Sequence, residues 1–310
     1  MTLAALRTDG KRALAAALAG LERDPESATS QALLDAAWRE PRAHVVGVTG
    51  PPGVGKSSLC AAVVAAWRRS GKTVGVIAVD PSSRTSGGAL LGDRVRIAHD
   101  GSDEGSFVRS MAARDRLGGL ADQTLAAMVV MRALFDRVLI ETVGVGQSET
   151  DVAGVADTVL FCVQPGSGDS LQFMKAGIVE IPHLVVVTKA DMGAAAERAR
   201  ADVSGALSLA TAGGGSDWPV KVLAASSRSG AGVDRLMEAL EAHRDFLAVE
   251  GRLAVARHHQ SEGWVAQSLR DRFGRDGIAR LGRLGLDLTL APGMQPFQRL
   301  REIGVALERP

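Results

Sequence analysis

Residues 50–57 read Gly50-Pro51-Pro52-Gly53-Val54-Gly55-Lys56-Ser57, a glycine loop closed by Lys and Ser at the spacing that cradles phosphate. What flanks it decides the fold. His44-Val45-Val46-Gly47-Val48-Thr49 is a short β-branched run suited to a buried strand, and Ser58 through Trp67 is suited to a helix. A strand, a glycine turn and a helix start aim backbone N–H groups and the positive end of the helix at one anion. Gly50, Gly53 and Gly55 permit backbone angles that a side chain would penalise. The loop from Gly50 to Ser58 is therefore the candidate nucleotide cradle. Lys56 is placed to reach the β- and γ-phosphates, and the Ser57 hydroxyl is a candidate magnesium ligand.

Four further stretches follow apolar strand-like runs. Leu184-Val185-Val186-Val187 leads into Thr188-Lys189-Ala190-Asp191. A carboxylate there accepts from the ring N–H and the exocyclic amine of guanine, a donor pair that adenine lacks. The Lys189 stem can lie over the base. The stretch resembles the Asn-Lys-x-Asp motif of GTPases, with Thr188 in the place of Asn. The bland alternative is a helix start capped by Asp191. Arg137-Val138-Leu139-Ile140 leads into Glu141-Thr142-Val143-Gly144-Val145-Gly146-Gln147. Glu141 is a candidate for the magnesium shell, and Gly144 for an N–H donor to the γ-phosphate. Gln147 and Glu149 are both candidates to orient the attacking water. Val76-Ile77-Ala78-Val79 ends in Asp80-Pro81, and Asp93 follows a glycine-rich stretch. Both carboxylates are candidates for the metal, against a turn start and a helix cap. Finally, Val220-Lys221-Val222-Leu223 precedes Ala225-Ser226-Ser227, a candidate loop beneath the base.

The chain of 310 residues is long enough for one sizeable α/β domain with appendages. With 36 basic and 35 acidic residues it carries no strong field, so a broad nucleic-acid footprint is not expected. Cys60 and Cys162 read as small core residues in a reducing compartment. Neither a secretory leader nor a membrane span is expected, which points to the cytoplasm.

Residues 1–43 read as helices. Leu3, Leu6, Leu14, Ala17, Leu18 and Leu21 form one apolar stripe, Asp24-Pro25 breaks it, and a second helix is expected from an N-cap at Ser30 through Trp38. Residues 44–245 alternate strand and helix, which predicts a mostly parallel central sheet flanked by helices, with ligands at the strand C-termini. Residues 246–310 read as a helical tail, with a doubtful strand at Leu286–Leu290. His258-His259 point about 100° apart on a helix and read as a solvated pair.

Taken together, Gly50 to Ser57, Asp80-Pro81-Ser82-Ser83, Gly92-Asp93, Glu141 to Glu149, Pro165-Gly166-Ser167-Gly168-Asp169 and Thr188 to Asp191 resemble the methylmalonyl-CoA mutase-associated GTPases of the MeaB/ArgK type, within the SIMIBI class of P-loop GTPases. The resemblance covers residues 9 to about 245. It implies a P-loop NTPase fold that binds GTP or GDP with Mg2+ and hydrolyses GTP slowly. The implied role is a chaperone of an adenosylcobalamin-dependent acyl-CoA mutase, gating cofactor loading and protecting or reactivating the mutase. A cobalamin adenosyltransferase is a further partner to test, and a homodimer through the tail is implied. The resemblance places the coupling loop at Pro165 to Gly177, with Asp169, Gln172 and Lys175 as candidate couplers; Ser170 stands where the family usually has Glu. Two alternatives are a nickel metallochaperone-type GTPase and a nucleotide-dependent regulatory ATPase or kinase.

Overall fold

The computed structural model describes residues 2–81, 103–113, 122–142, 144, 151–166, 180–211, 217–291 and 293–308. Helices α1 (Leu3–Thr8), α2 (Gly10–Arg23) and α3 (Ala28–Arg39) lead into β1 (His44–Thr49), α4 (Lys56–Arg69), β2 (Val74–Pro81) and β3 (Ser106–Ala113). Then come α5 (Asp122–Leu134), β4 (Arg137–Glu141), β5 (Thr158–Val163), β6 (Leu184–Val187), α6 (Ala194–Thr211), β7 (Lys221–Ala224) and α7 (Val233–Ala248). The chain continues through α8 (Arg252–Arg283) and α9 (Pro296–Glu308).

The described strands form one sheet in the order β3-β2-β4-β1-β5-β6-β7, with every pairing parallel. This is the sheet that the alternation of residues 44–245 predicts. Strands β1, β4, β5 and β6 are buried at every position, as expected when helices cover both faces. Alternate side chains enter different cores. Val45, Ile77, Val138 and Ile140 meet Leu18 and Leu34 of the N-terminal helices and Met128 and Met131 of α5. Val46, Val76 and Leu139 meet Leu59, Val63 and Trp67 of α4 and Leu236 and Leu240 of α7. The parallel register brings the C-terminal ends of β1, β4 and β5 to one edge, with Val48 opposite Glu141 on one side and Leu160 on the other.

At the opposite edge lies a buried histidine cluster. His44 Nε2 and His243 Nδ1 each lie 2.7 Å from the Thr158 hydroxyl. The His183 ring lies 4.3 Å from that of His243, centroid to centroid. The His183 Nδ1 accepts from the Val159 N–H at 2.9 Å.

Local details depart from the sequence reading. The first apolar stripe is split, because Asp9 ends α1 and Gly10 takes φ +71°, a helix break that suits glycine. The cap of α3 is Ser27, whose hydroxyl accepts from the Ser30 N–H at 3.3 Å; Ser30 is inside the helix and its own hydroxyl donates to the Asp24 carbonyl at 2.7 Å. Leu286–Leu290 is not a strand. Asp287 Oδ1 accepts from the N–H (3.2 Å) and hydroxyl (2.8 Å) of Thr289, which turns the chain, and Leu286, Leu288 and Leu290 are wholly or partly buried. The tail is broken at Glu250 (φ 56°) and again within α8 at Gly274 (φ 66°).

Candidate functional site

The phosphate loop is shaped by its glycines and by what crowds it. Gly50 has φ +134°, and a Cβ there would strike the Cys162 carbonyl oxygen on β5. Only glycine allows the loop to leave β1 so close to its neighbour strand. Gly55 (φ +97°) stands at the N-cap of α4 with no side-chain cap, so the first N–H groups of this 14-residue helix face the loop interior. Lys56 is buried, and its Nζ donates to the carbonyls of Gly50 at 2.8 Å and Pro51 at 3.0 Å.

Two strand ends meet this loop. Glu141 closes β4, and its Oε1 accepts from the Ser57 hydroxyl at 2.6 Å. Next to it, the Thr142 N–H donates to the Val48 carbonyl at 3.1 Å, and its hydroxyl lies 3.0 Å from that of Thr49. Gly144 has φ +77°. A Cβ there would collide with the Gly50 carbonyl and lie 2.5 Å from Lys56 Nζ. The structure thus brings Gly50, Lys56, Ser57, Glu141 and Gly144 together. Ser57 and Glu141 place two hard oxygen donors side by side beneath a phosphate cradle, a donor set that fits Mg2+. The backbone of Asp80 is paired with Ala112 near the end of β2. The side chain of Asp80 lies outside the described residues, as do Asp93, Gln147, Glu149, Asp169, Ser170, Gln172 and Lys175.

The second half of the site is an open cleft of about 270 Å³. Val54, Gly55, Ser58 and Leu59 form one wall, Thr188, Lys189 and Asp191 another, and Ala225 to Arg228 the third. Asp191 does not cap a helix with its side chain; it lies in a 3-10 turn, and its Oδ1 accepts from the buried Ser226 hydroxyl at 2.6 Å. That hydrogen bond holds the Asp191 carboxyl below the usual carboxylate range. The Ser226 loop is fixed in turn, since its N–H donates to the Ala231 carbonyl at 2.8 Å and Ala225 donates to Val187 at 2.9 Å. Ser227 lines the cleft beside it.

Thr188, in the place of Asn, makes its own local hydrogen bonds. Its buried hydroxyl lies 2.7 Å from the Val54 carbonyl and 3.0 Å from that of Val163, and donates its single proton to one or the other. It thereby ties the phosphate loop to β5 and β6. Lys189 is held with φ +55°. Its Nζ donates to Gln164 Oε1 at 2.5 Å and reaches the Gly53 carbonyl at 3.4 Å. Gln164 escaped the sequence reading. The signal for Gln164 was its place at the C-terminal end of a strand beside the loop strand, where ligands gather in parallel sheets.

Relatives of known description fit this geometry. The family model described as "Methylmalonyl Co-A mutase-associated GTPase MeaB" matches residues 13–279. A predicted GTPase of Pyrococcus horikoshii is 43% identical over 222 residues, covering 71% of this chain and 70% of that one. The mouse mitochondrial methylmalonic aciduria type A homolog is 35% identical over 266 residues, covering 82% and 64%. A solved LAO/AO transport system kinase superposes over 99% of this chain and 96% of its own at a TM-score of 0.70 and 29% identity. The hydrogenase maturation factor HypB of Archaeoglobus fulgidus shares the fold alone, at a TM-score of 0.51 and 16% identity over 67% and 94%. With its parallel sheet, its phosphate loop and a family match across most of its length, the chain belongs to the MeaB family of methylmalonyl-CoA mutase-associated P-loop GTPases.

Proposed function

We propose that this chain hydrolyses GTP and uses the change of nucleotide state to gate an adenosylcobalamin-dependent acyl-CoA mutase. The observation that carries the guanine assignment is Asp191, an ionised carboxylate steadied by Ser226 on the wall of the cleft. Its free lone pairs suit the two donors on the Watson–Crick edge of guanine. Two hydrogen bonds to a charged acceptor are each worth about 1.5–3 kcal/mol, enough for a preference over adenine of about a hundredfold or more.

The N-terminus of α4 and the loop amides bind the β- and γ-phosphates. Lys56 turns from the Gly50 and Pro51 carbonyls to the phosphate oxygens. Ser57 and Glu141 would hold the magnesium ion, with Asp80 and Asp93 as further carboxylates for its shell; such an ion would neutralise the charge that develops on the transferred phosphoryl group. Gly144, pressed against Gly50, offers its N–H where the γ-phosphate sits, and Gln147 orients the attacking water. Loss of that phosphate would remove its contact at Gly144. A mutase responds only to the extent that its affinity differs between the two nucleotide states. The partner assignment is supported by the family description and by the mouse relative, with Asp169, Gln172 and Lys175 as the contact candidates. Dimerisation through residues 246–310 belongs to the same reading. A soft-metal delivery role fits the cysteines poorly. Both are buried, and burial pushes the Cys162 thiol up to about 12, away from the thiolate that binds metal.

The test is magnesium-dependent turnover of GTP and ATP, with and without a cobalamin-dependent acyl-CoA mutase from the same organism. GTP-selective turnover that rises with the mutase is expected. ATP preference sinks the reading of Asp191, and indifference to the mutase removes that partner.

A further inference from the structure

Remote from the nucleotide, the chain buries a cation that the proposed function does not use. Arg132 on α5 is 4% exposed. Its guanidinium carbon lies 4.9 Å from the centroid of the Trp38 ring. Its Nε is buried with no hydrogen-bond acceptor among the described residues. Among the described residues, Asp157 is the carboxylate whose field acts on it. That carboxylate is already engaged by Arg257, at 2.8 and 2.7 Å, and by the Val45 N–H at 2.7 Å. Burial and the repulsion of Arg257 push Arg132 down to about 9, so it remains charged at neutral pH. The ring face offsets only part of the cost of desolvating a charge.

Arg132 borders a cavity of about 10 Å³ whose lining includes Trp38, Met128, Gly154, Arg257, Gln260 and Trp264. Arg257 uses its Nε and Nη2 on Asp157 and on the Ala43 carbonyl, the latter at 2.9 Å. Gln260 Nε2 donates to the carbonyls of Ala153 and Ala156 at 2.9 and 2.8 Å. The cavity therefore has cationic and aromatic walls and room for one water-sized occupant.

We propose that this cavity binds a single small halide, chloride under physiological conditions, between Arg132 and Arg257. Size leaves out phosphate, sulfate and carboxylates. The positive walls leave out a metal cation. A water molecule can accept from Nε but leaves the charge uncompensated, whereas a halide does both. Because the walls come from α3, α5, α8 and the turn at Gly154, the bound anion pins α8 to the core. The proposal is independent of the nucleotide reading.

The test follows thermal unfolding of the full chain, without nucleotide, in sodium chloride, bromide and gluconate at equal ionic strength. The wild type is expected to melt about 2 °C or more higher in the halides. Arg132→Met is expected to lose the difference. Crystals grown in bromide are expected to show an anomalous peak between Arg132 and Arg257. A halide shift that persists in Arg132→Met marks a general salt effect and overturns the proposal, as does a bromide map with no peak in the cavity. If Arg132→Met does not fold, the wild-type comparison and the anomalous map decide between them, and the map prevails where they disagree.

Discussion

Acidification should unfold this protein through its histidines before its carboxylates respond. His44 is 5% exposed. Burial is the main cause that lowers its ring from 6.5 to about 4; Arg257 and Arg137 push the same way and Asp157 opposes them. The unfolded chain therefore takes up the proton first. Stability is full above about pH 6.5 and falls as pH drops toward about 4. For His44 alone the loss is about 2 kcal/mol at pH 5 and about 3 kcal/mol once the ring is fully protonated. His183 and His243 are also lowered, to about 4 and about 3. His243 shares the Thr158 hydroxyl with His44, and His183 packs on His243, so their losses do not simply add and His44 sets the floor. Asp157 is held below the usual carboxylate range, mainly by Arg257 working against burial, so its contribution disappears only at lower pH. Urea unfolding at about pH 7.5 and about pH 5 separates the two windows. Trp218, 4.6 Å from the His243 ring between centroids, is a built-in fluorescent reporter. His44→Gln keeps a polar group near Thr158 and should reduce the loss. Equal unfolding free energies at the two pH values, or the same loss in His44→Gln, would refute the account.

Three substitutions probe the nucleotide site. Gly144→Ala sets a Cβ against the Gly50 carbonyl at a positive φ; turnover should fall about a hundredfold with GTP still bound, as for loss of one aligned transition-state donor, and unchanged single-turnover kinetics would contradict the placement. Thr188→Val removes the hydroxyl shared by Val54 and Val163. It should cost about 1–2 kcal/mol in urea unfolding and speed the release of a fluorescent GDP analogue. Asp191→Asn replaces an acceptor with an amide that also donates, so the affinity for GTP should fall about a hundredfold while xanthosine triphosphate gains, measured by competition; retained GTP preference would count against Asp191.

The sheet and the contact between the loop and the sensing segment were legible because each motif follows a buried β-branched run, and a parallel sheet collects such ends at one edge. The break at Gly10 was not, since an unbroken apolar stripe reads as one helix unless a residue's φ is known. Ser27 and Ser30 are both good caps, and only the position of the Ser27 hydroxyl against the Ser30 N–H decides between them. Thr188 lacks the amide of Asn, and sequence does not reveal that two carbonyls lie within reach of its hydroxyl. Gln164, Arg257 and Gln260 act through contacts with residues distant in the chain, which local pattern cannot show.

Lys56 and Ser57 are both engaged by the protein itself, Lys56 on two loop carbonyls and Ser57 on Glu141. These bonds keep the groups in position before any ligand arrives. Nucleotide entry would then be an exchange of partners: phosphate oxygens would replace carbonyls around the ammonium, and the Ser57 hydroxyl would turn its proton away from Glu141 as its oxygen takes a cation. Little side-chain freedom remains to be lost on binding, so more of the contact energy can appear as affinity. The same exchange would run in reverse when product leaves.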